Sequence, residues 1–341
     1  MSEHPTTGHV DAAFCATRAR HGASRSRLAD LVRTSMRGLT LDAAQESALD
    51  ILRDPSSVVT VTGQQIGLFG GPMYTLAKIR TAVEEARRVT ASTGCKAVPV
   101  FWLEDNDHDA AEATSAHLLS SEGRVVDVFT WDGTDERRSV AERTISSDMR
   151  ERIIEASALL TGQCADGVRE RTTQIYAEGR SLADAFLDIL QPYLGPWGVL
   201  VVRGSAIVAA GLHRPILMKD MDPPGGLAAV IAATTATLEA SGTPAQATVG
   251  PFVFFGSDAN GRAKLASGTN HAAEAAATPE HFTPTVLARP IVQDAVLPSV
   301  ISVLGAAELA YHAQLPDAYA ACGVPMPVLV GMRMPVVVFV R

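Results

Sequence analysis

The chain has 341 residues, 47% hydrophobic and 19% charged, with a formal net charge of -8. That length builds a large core, as two domains or as one domain with an insertion. The negative balance argues against a broad nucleic-acid surface and leaves only a local basic patch open. Cys15, Cys95, Cys164 and Cys322 stand far apart with no C-x-x-C pair, which argues against a disulfide scaffold and a cysteine zinc knuckle. With no apolar signal core and no membrane-length apolar segment, a cytoplasmic protein that engages no membrane is expected.

Residues 1–13 are polar and expected to be loose. Arg18, Arg20, Arg25, Arg27, Arg33 and Arg37 follow. They suit a basic helix or a phosphate-facing arm, and more simply a solvated surface. A helix is expected over Leu39–Leu52. Val58–Thr62 is β-branched and reads as a buried strand, which Gly63, Gly67, Gly70 and Gly71 then break. Pro72 suits a first helical turn. Met73, Leu76, Ile79, Val83 and Ala86 recur at helical spacing, which places Lys78, Glu84, Glu85, Arg87 and Arg88 on the wetter side. Ala97–Leu103 is the next strand, so residues 58–103 read as a βαβ unit whose ligand edge lies at the carboxyl ends of its strands.

Beyond the acidic cluster Glu104–Asp109, a short strand is expected at Arg124–Phe129 and helices across 136–194. Further strands are expected at 198–202, within Ala245–Phe255 around Gly250, at 299–303 and at 325–330. Leu227–Leu238 and Ala306–Ala321 read as helices. The pattern predicts an α/β core with a mostly parallel sheet and two insertions, the first mainly helical. Residues 1–40 form an N-terminal arm and 41–110 the first part of the core. Residues 111–197 form a mainly helical insertion and 198–239 the second part of the core. Residues 240–282 form a small second insertion, and 283–341 the last part of the core. Val336–Phe339 would be an apolar edge or a loose tail.

Two polar clusters sit at adjacent strand ends. The loop with Thr62, Gly63, Gln64, Gln65, Gly70 and Gly71 offers backbone N–H groups for an anion and amides for a sugar or carboxylate. Its glycines also suit a tight turn alone. It holds no Walker string. Asp107, His108 and Asp109 could bind an ammonium, orient a hydroxyl or move a proton, with His108 as the transfer group near neutral pH. Oxygen ligands of this kind also suit Mg²⁺, and a capped, solvated loop is the plainer alternative; no metal site is assigned. Arg289 and Gln293 suit a carboxylate or a nucleotide phosphate, with a structural pairing of Arg289 and Asp294 as the alternative. Glu308 and His312 lie four apart on one helical face, as a site pair or a packing pair. Lys78 is expected to be solvent-exposed.

The strings TGQQIGLFGGPMYT (Thr62–Thr75), VPVFWLEDNDHD (Val98–Asp109), TPTVLARPIVQD (Thr283–Asp294) and AELAYHAQL (Ala307–Leu315) resemble the cysteine-adding enzyme family of bacillithiol biosynthesis. The first two are long and specific. The resemblance runs from about residue 40 to the end and is weakest across 110–280. It implies a nucleotidyltransferase-type Rossmann core with two connecting insertions. It implies a ligase that joins L-cysteine to the amine of glucosaminyl-malate, and a C-terminal coiled coil that makes a dimer. The family has Pro before the arginine of its final core motif, where this chain has Met332–Arg333. It has Gly-Pro-Gly before the glutamate, where this chain has Gly305–Ala306–Ala307. A ligand-binding or regulatory homologue and a generic nucleotidyl-transfer enzyme are the alternatives. ATP and Mg²⁺ are the candidate cofactors, cysteine and glucosaminyl-malate the small-molecule partners.

No sustained a/d heptad runs between 304 and 341, so the chain reads as truncated before the coiled coil. Light scattering across a tenfold concentration range is therefore expected to give mainly monomer. A constant dimer mass at low micromolar concentration contradicts this.

Overall fold

The computed structural model describes residues 9–120, 122–130, 137–258 and 260–334. Ten strands occur there: β1 Val58–Gln65, β2 Ala97–Glu104, β3 Ser115–Leu119, β4 Val125–Phe129, β5 Leu200–Arg203, β6 Phe254–Asp258, β7 Gly261–Lys264, β8 Thr283–Pro284, β9 Ser299–Leu304 and β10 Val328–Gly331. The main sheet has the order β10-β9-β1-β2-β5, and every neighbouring pair is parallel. A sheet built by crossovers is covered on both faces, and its strands are apolar runs. All six residues of β9 and the first six of β1 are buried. This is a Rossmann-like fold with a parallel sheet and helical insertions: the parallel α/β core is what the residue pattern predicts, and its Rossmann-like character is what the resemblance implies.

β1 runs past the expected break at Gly63, because β2 pairs with it through Gly63↔Trp102, Gln64↔Leu103 and Gln65↔Glu104. The helix Tyr74–Thr93 then crosses the sheet and stops at Gly94, whose φ of 74° suits glycine. Its buried surface differs from the expected stripe. Met73 is 65% exposed, while Lys78 and Glu85 are buried. Sheet contacts cover one side of this helix. Thr81 and Glu85, on another, receive the backbone N–H and the guanidinium of Arg333. Hence a single amphipathic stripe underestimates the burial.

Two small antiparallel sheets stand apart in sequence from the main one. β3 and β4 form a hairpin in the first insertion, and β6 joins β7 and β8 in the second. The two short strands expected around Gly250 do not form; the first strand of this region begins at Phe254, and its partner follows at Gly261. The helix expected over Ala306–Ala321 is two, Ala306–His312 and Pro316–Cys322. Pro316 starts the second, where its missing N–H costs nothing, and it would obstruct a continuous helix. Arg289–Val296 is helical as well. The apolar stretch Val336–Phe339 lies outside the described residues. Among the described residues no helix is long and apolar enough to cross a membrane.

The arginine-rich N-terminal segment is not simply a solvated surface. It forms the helices Ala12–Ala19 and Arg25–Ser35. Arg18 is fully buried. Its guanidinium donates to the backbone carbonyls of Ser299, Pro325, Asp294 and Leu297, the last two at 3.2 and 3.3 Å. Arg25 donates to the carbonyls of Ala19 and Ser57 at 2.9 and 2.8 Å. One cation thus ties the first helix to the segments that lead into β9 and β10. Replacing Arg18 by Met strands several buried carbonyls. Urea unfolding should show a loss of roughly 3 kcal/mol, and an unchanged midpoint contradicts this account.

Candidate functional site

The chain builds β1, β2 and β5 to one side and then returns to lay β9 and β10 on the other. Strand order therefore reverses between β1 and β9, and a crevice must open beyond their carboxyl ends. A cleft of about 760 Å³ lies there. The end of β1 supplies Gly63, Gln64 and Gln65, the end of β2 Glu104, Asp107 and His108, and the turn after β9 Gly305–Glu308. Phe252–Phe255, Arg262, Lys264 and Leu265, in and around the β6–β7 hairpin, line the same cleft.

Lys78 makes the floor. Its Nζ donates to the Gly63 carbonyl at 2.5 Å, to Gln64 Oε1 at 3.3 Å and to Glu308 Oε2 at 2.6 Å. The side chain is only 2% exposed, so the expectation of solvent exposure fails. The helix directs this residue at the open end of β1, where a carbonyl and a carboxylate need a donor. Burial pushes its pKa down, and Glu308 pulls it back up. Glu308 Oε2 also accepts from the Gly305 backbone N–H at 2.7 Å.

Beside it, Arg289 donates to Gln293 Oε1 and to the Tyr311 hydroxyl, each at 3.1 Å. Burial works against its charge, but Tyr311, Glu308 and Glu104 outweigh that and raise its pKa. A Cβ at Gly63 would sit 3.4 Å from Arg289 Nη1, in ordinary contact with the guanidinium. Glu104 accepts from Trp102 Nε1 at 2.9 Å. Burial raises its pKa, against the pull of Arg289, Trp102 and Arg262.

At the other end, Asp107 accepts from Gln65 Nε2 at 2.6 Å and from Arg262 Nη1 at 3.2 Å. Burial alone would raise its pKa; Arg262, Gln65 and the His108 backbone N–H together hold the carboxyl below its ordinary value. His108 Nδ1 lies 3.2 Å from the same carboxylate, and its ring meets Phe255 edge-on at 6.2 Å. The Arg262 guanidinium sits 4.3 Å over the Phe255 ring. Lys264 has no hydrogen bond or ion pair among the described residues.

Of the candidates from the sequence, Gly63, Gln64, Gln65, Asp107, His108, Arg289 and Glu308 line the cleft. The others lie off its walls. Thr62 donates within the sheet to the Val303 carbonyl at 2.8 Å. Gly70 and Gly71, at φ 90° and 75°, pack near Ile189 and Phe186, so they serve backbone geometry rather than an anion. Asp109 accepts from the Glu112 N–H at 2.8 Å and caps a short helix. Gln293 supports Arg289 from behind. Asp294 is taken by the Tyr319 hydroxyl at 2.6 Å, not by Arg289. His312 is buried, bonded through Nδ1 to the Glu308 carbonyl at 2.7 Å and stacked on Tyr311.

Tyr74, Arg262, Lys264 and Tyr311 join the cleft without having been singled out, and with them come Lys78, expected to be exposed, and Glu104, named only as part of the acidic cluster. Tyr311 was within reach of the sequence, three residues beyond Glu308 on one helical face. Arg262 carried no signal, because its segment is weakly patterned. Among the described residues, no group of three or more His, Cys, Asp or Glu gathers as a metal cage. Asp105 in particular is spent on the Ser205 N–H and hydroxyl at 2.8 and 2.7 Å.

Burial pushes the His312 pKa down to about 4, below the usual 6.5. A depressed folded pKa gives stability that is full above the unfolded value and is lost as pH falls through the folded one. Between pH 6.5 and 4, wild type should lose up to about 1.4 kcal/mol per pH unit more than His312→Gln. Urea titrations of both proteins at pH 7, 5.5 and 4.5 check this, and parallel curves refute it.

The family model described as the N-terminal Rossmann-like domain of bacillithiol biosynthesis BshC matches residues 5–334. A BshC protein of Salinibacter ruber is 30% identical over 329 residues, covering 91% of this chain and 60% of the relative. One of Heliobacterium modesticaldum is 28% identical over 333 residues, covering 89% and 58%. One of Geobacillus thermodenitrificans is 27% identical over 333 residues, covering 91% and 60%. The names of all three give them, provisionally, as cysteine ligases. The chain spans about three fifths of the length of these curated relatives. With nearly its whole described length matched by the family model, the chain belongs to the BshC family.

Proposed function

We propose that the cleft joins L-cysteine to the glucosamine amine of glucosaminyl-malate to form bacillithiol, on a nucleotidyltransferase-type version of the Rossmann-like core and in the cytoplasm. The observation that carries this reading is convergence. Gly63–Gln65, Asp107–His108, Arg289 and Glu308 come from four separate stretches that resemble the cysteine-adding family, and all line one cleft. The names of the relatives support the cysteine half of this reaction, since they give provisional cysteine ligases.

Forming an amide from an amine and a carboxylate removes a proton from nitrogen and an oxygen from carbon. His108 is the group placed to take the proton, its Nδ1 3.2 Å from the Asp107 carboxylate. Arg289 is placed to neutralise the carboxylate. ATP with Mg²⁺ is the proposed activator, and it would turn the departing oxygen into a good leaving group. Arg262 and Lys264 are the cations that would meet its phosphates or the malyl carboxylates. Because Asp105 and Asp107 are already engaged, the Mg²⁺ would arrive with the nucleotide.

One observation favours a second reading, ligand binding without turnover. Ala306, Ala307 and Met332, which replace the family's Gly-Pro-Gly and Pro positions, all line the cleft. The protein should be incubated with cysteine and glucosaminyl-malate, with and without ATP and Mg²⁺, and the mixture read by mass spectrometry. A thiol-bearing amide is expected, with His108→Asn at least about 100-fold slower. Substrate binding by calorimetry without product would establish the second reading. Pyrophosphate release independent of cysteine would indicate general nucleotidyl transfer instead.

A further inference from the structure

The charges facing the cleft are not spread evenly. Its floor carries Lys78 and Arg289 against Glu104 and Glu308, two cations and two anions. Its other end carries Arg262, Lys264 and Asp107, with His108 beside them. A floor that balances to zero gains little from a ligand with a net charge. It suits one that carries both signs in its own structure.

The unused hydrogen-bonding capacity has the same two-signed form. Glu308 spends Oε2 on the Lys78 ammonium and the Gly305 N–H. Among the described residues its Oε1 accepts nothing. A guanidinium has five N–H groups, and Arg289 places one on Gln293 and one on Tyr311. The rest have no acceptor among the described residues. Arg289 and Glu308 are held close, because Tyr311, which takes one Arg289 donor, lies three residues from Glu308 on the same helix. A free carboxylate oxygen beside free guanidinium donors complements an ammonium beside a carboxylate.

We propose that this floor is a subsite for a free α-amino acid, with Arg289 taking the carboxylate and Glu308 Oε1 the α-ammonium. The inference rests on the ligase reading, whose amino-acid substrate would occupy it. Lys78 is a positioning residue here: its ammonium is shared between Gly63, Gln64 and Glu308 Oε2, and that fixes which Glu308 oxygen is left free. The amino-acid side chain then points away from the ion pairs toward the apolar wall of Phe254 and Leu287.

Calorimetry on the unmodified protein tests this with four probes: L-cysteine, L-alanine, cysteamine without the carboxylate, and 3-mercaptopropionate without the ammonium. Cysteine and alanine should bind, and each one-charge analogue should bind at least tenfold more weakly than cysteine. Glu308→Gln should weaken cysteine by a similar factor and leave 3-mercaptopropionate unchanged. A one-charge analogue that matches cysteine overturns the subsite. So does cysteine binding that Glu308→Gln leaves unchanged, which would leave the ligase reading standing. Amino-acid binding with the expected analogue pattern and no amide product would instead keep the subsite and remove the ligase reading.

Discussion

A buried ammonium holds this site together. Lys78 has three donors and three protein acceptors: a carbonyl on β1, an amide next to it, and a carboxylate beyond β9. An ammonium taken out of water without partners costs several kcal/mol. Any movement that separates the end of β1 from the helix Ala306–His312 therefore exposes that cost. The two strand ends on either side of the reversal in strand order are clamped from below. The clamp needs the Tyr74–Thr93 helix to start where it does, because a shift of one residue turns Lys78 about 100° away.

The topology explains why the clamp falls under a cleft and not in a filled core. β9 is laid against β1 only after two insertions have been built, so the crossovers leave β1 in opposite directions. No helix can cover the seam at the carboxyl ends. The β6–β7 hairpin from the second insertion faces that seam, and with it come Phe255, Arg262 and Lys264. Arg262 is secured from three sides: the Thr283 hydroxyl at 2.9 Å, the Pro284 carbonyl at 2.6 Å and Asp107. The insertion is therefore fastened to the core by a residue that also shapes the cleft.

The strands of the core were legible because runs such as Val58–Thr62 and Ser299–Val303 must be apolar to be buried on both faces. The ends of β1 and β2 were legible as a polar edge for the same reason: polar residues interrupt those runs where the sheet stops. Buried cations were not legible. Lys78 and Arg18 look like surface residues by type, and only acceptors brought from more than 200 residues away, a carboxylate for Lys78 and backbone carbonyls for Arg18, make burial possible. Asp109 and Asp294 were misplaced because sequence neighbours of a site residue need not face the site. Asp109 turns to cap a helix, and Asp294 sits on the far side of its own helix against Tyr319.

The paired glutamines show how much a single strand end can organise. Successive residues of a strand point to opposite sides. Gln64 therefore faces the helix that follows β1, where it bonds Tyr74 at 3.2 Å and Lys78. Gln65 faces the other way and reaches Asp107, beyond β2. One dipeptide thus braces the balanced floor with one amide and the Asp107–His108 end with the other. Neither residue can replace its neighbour, since exchanging their roles would require the strand to slip by one, which would exchange the side chains packed on the two buried faces of β1. Because Val59, Thr60 and Val61 are packed on both sides of the sheet, that slip is closed off. The spacing between the two halves of the cleft is set by the core, not by the loops around it.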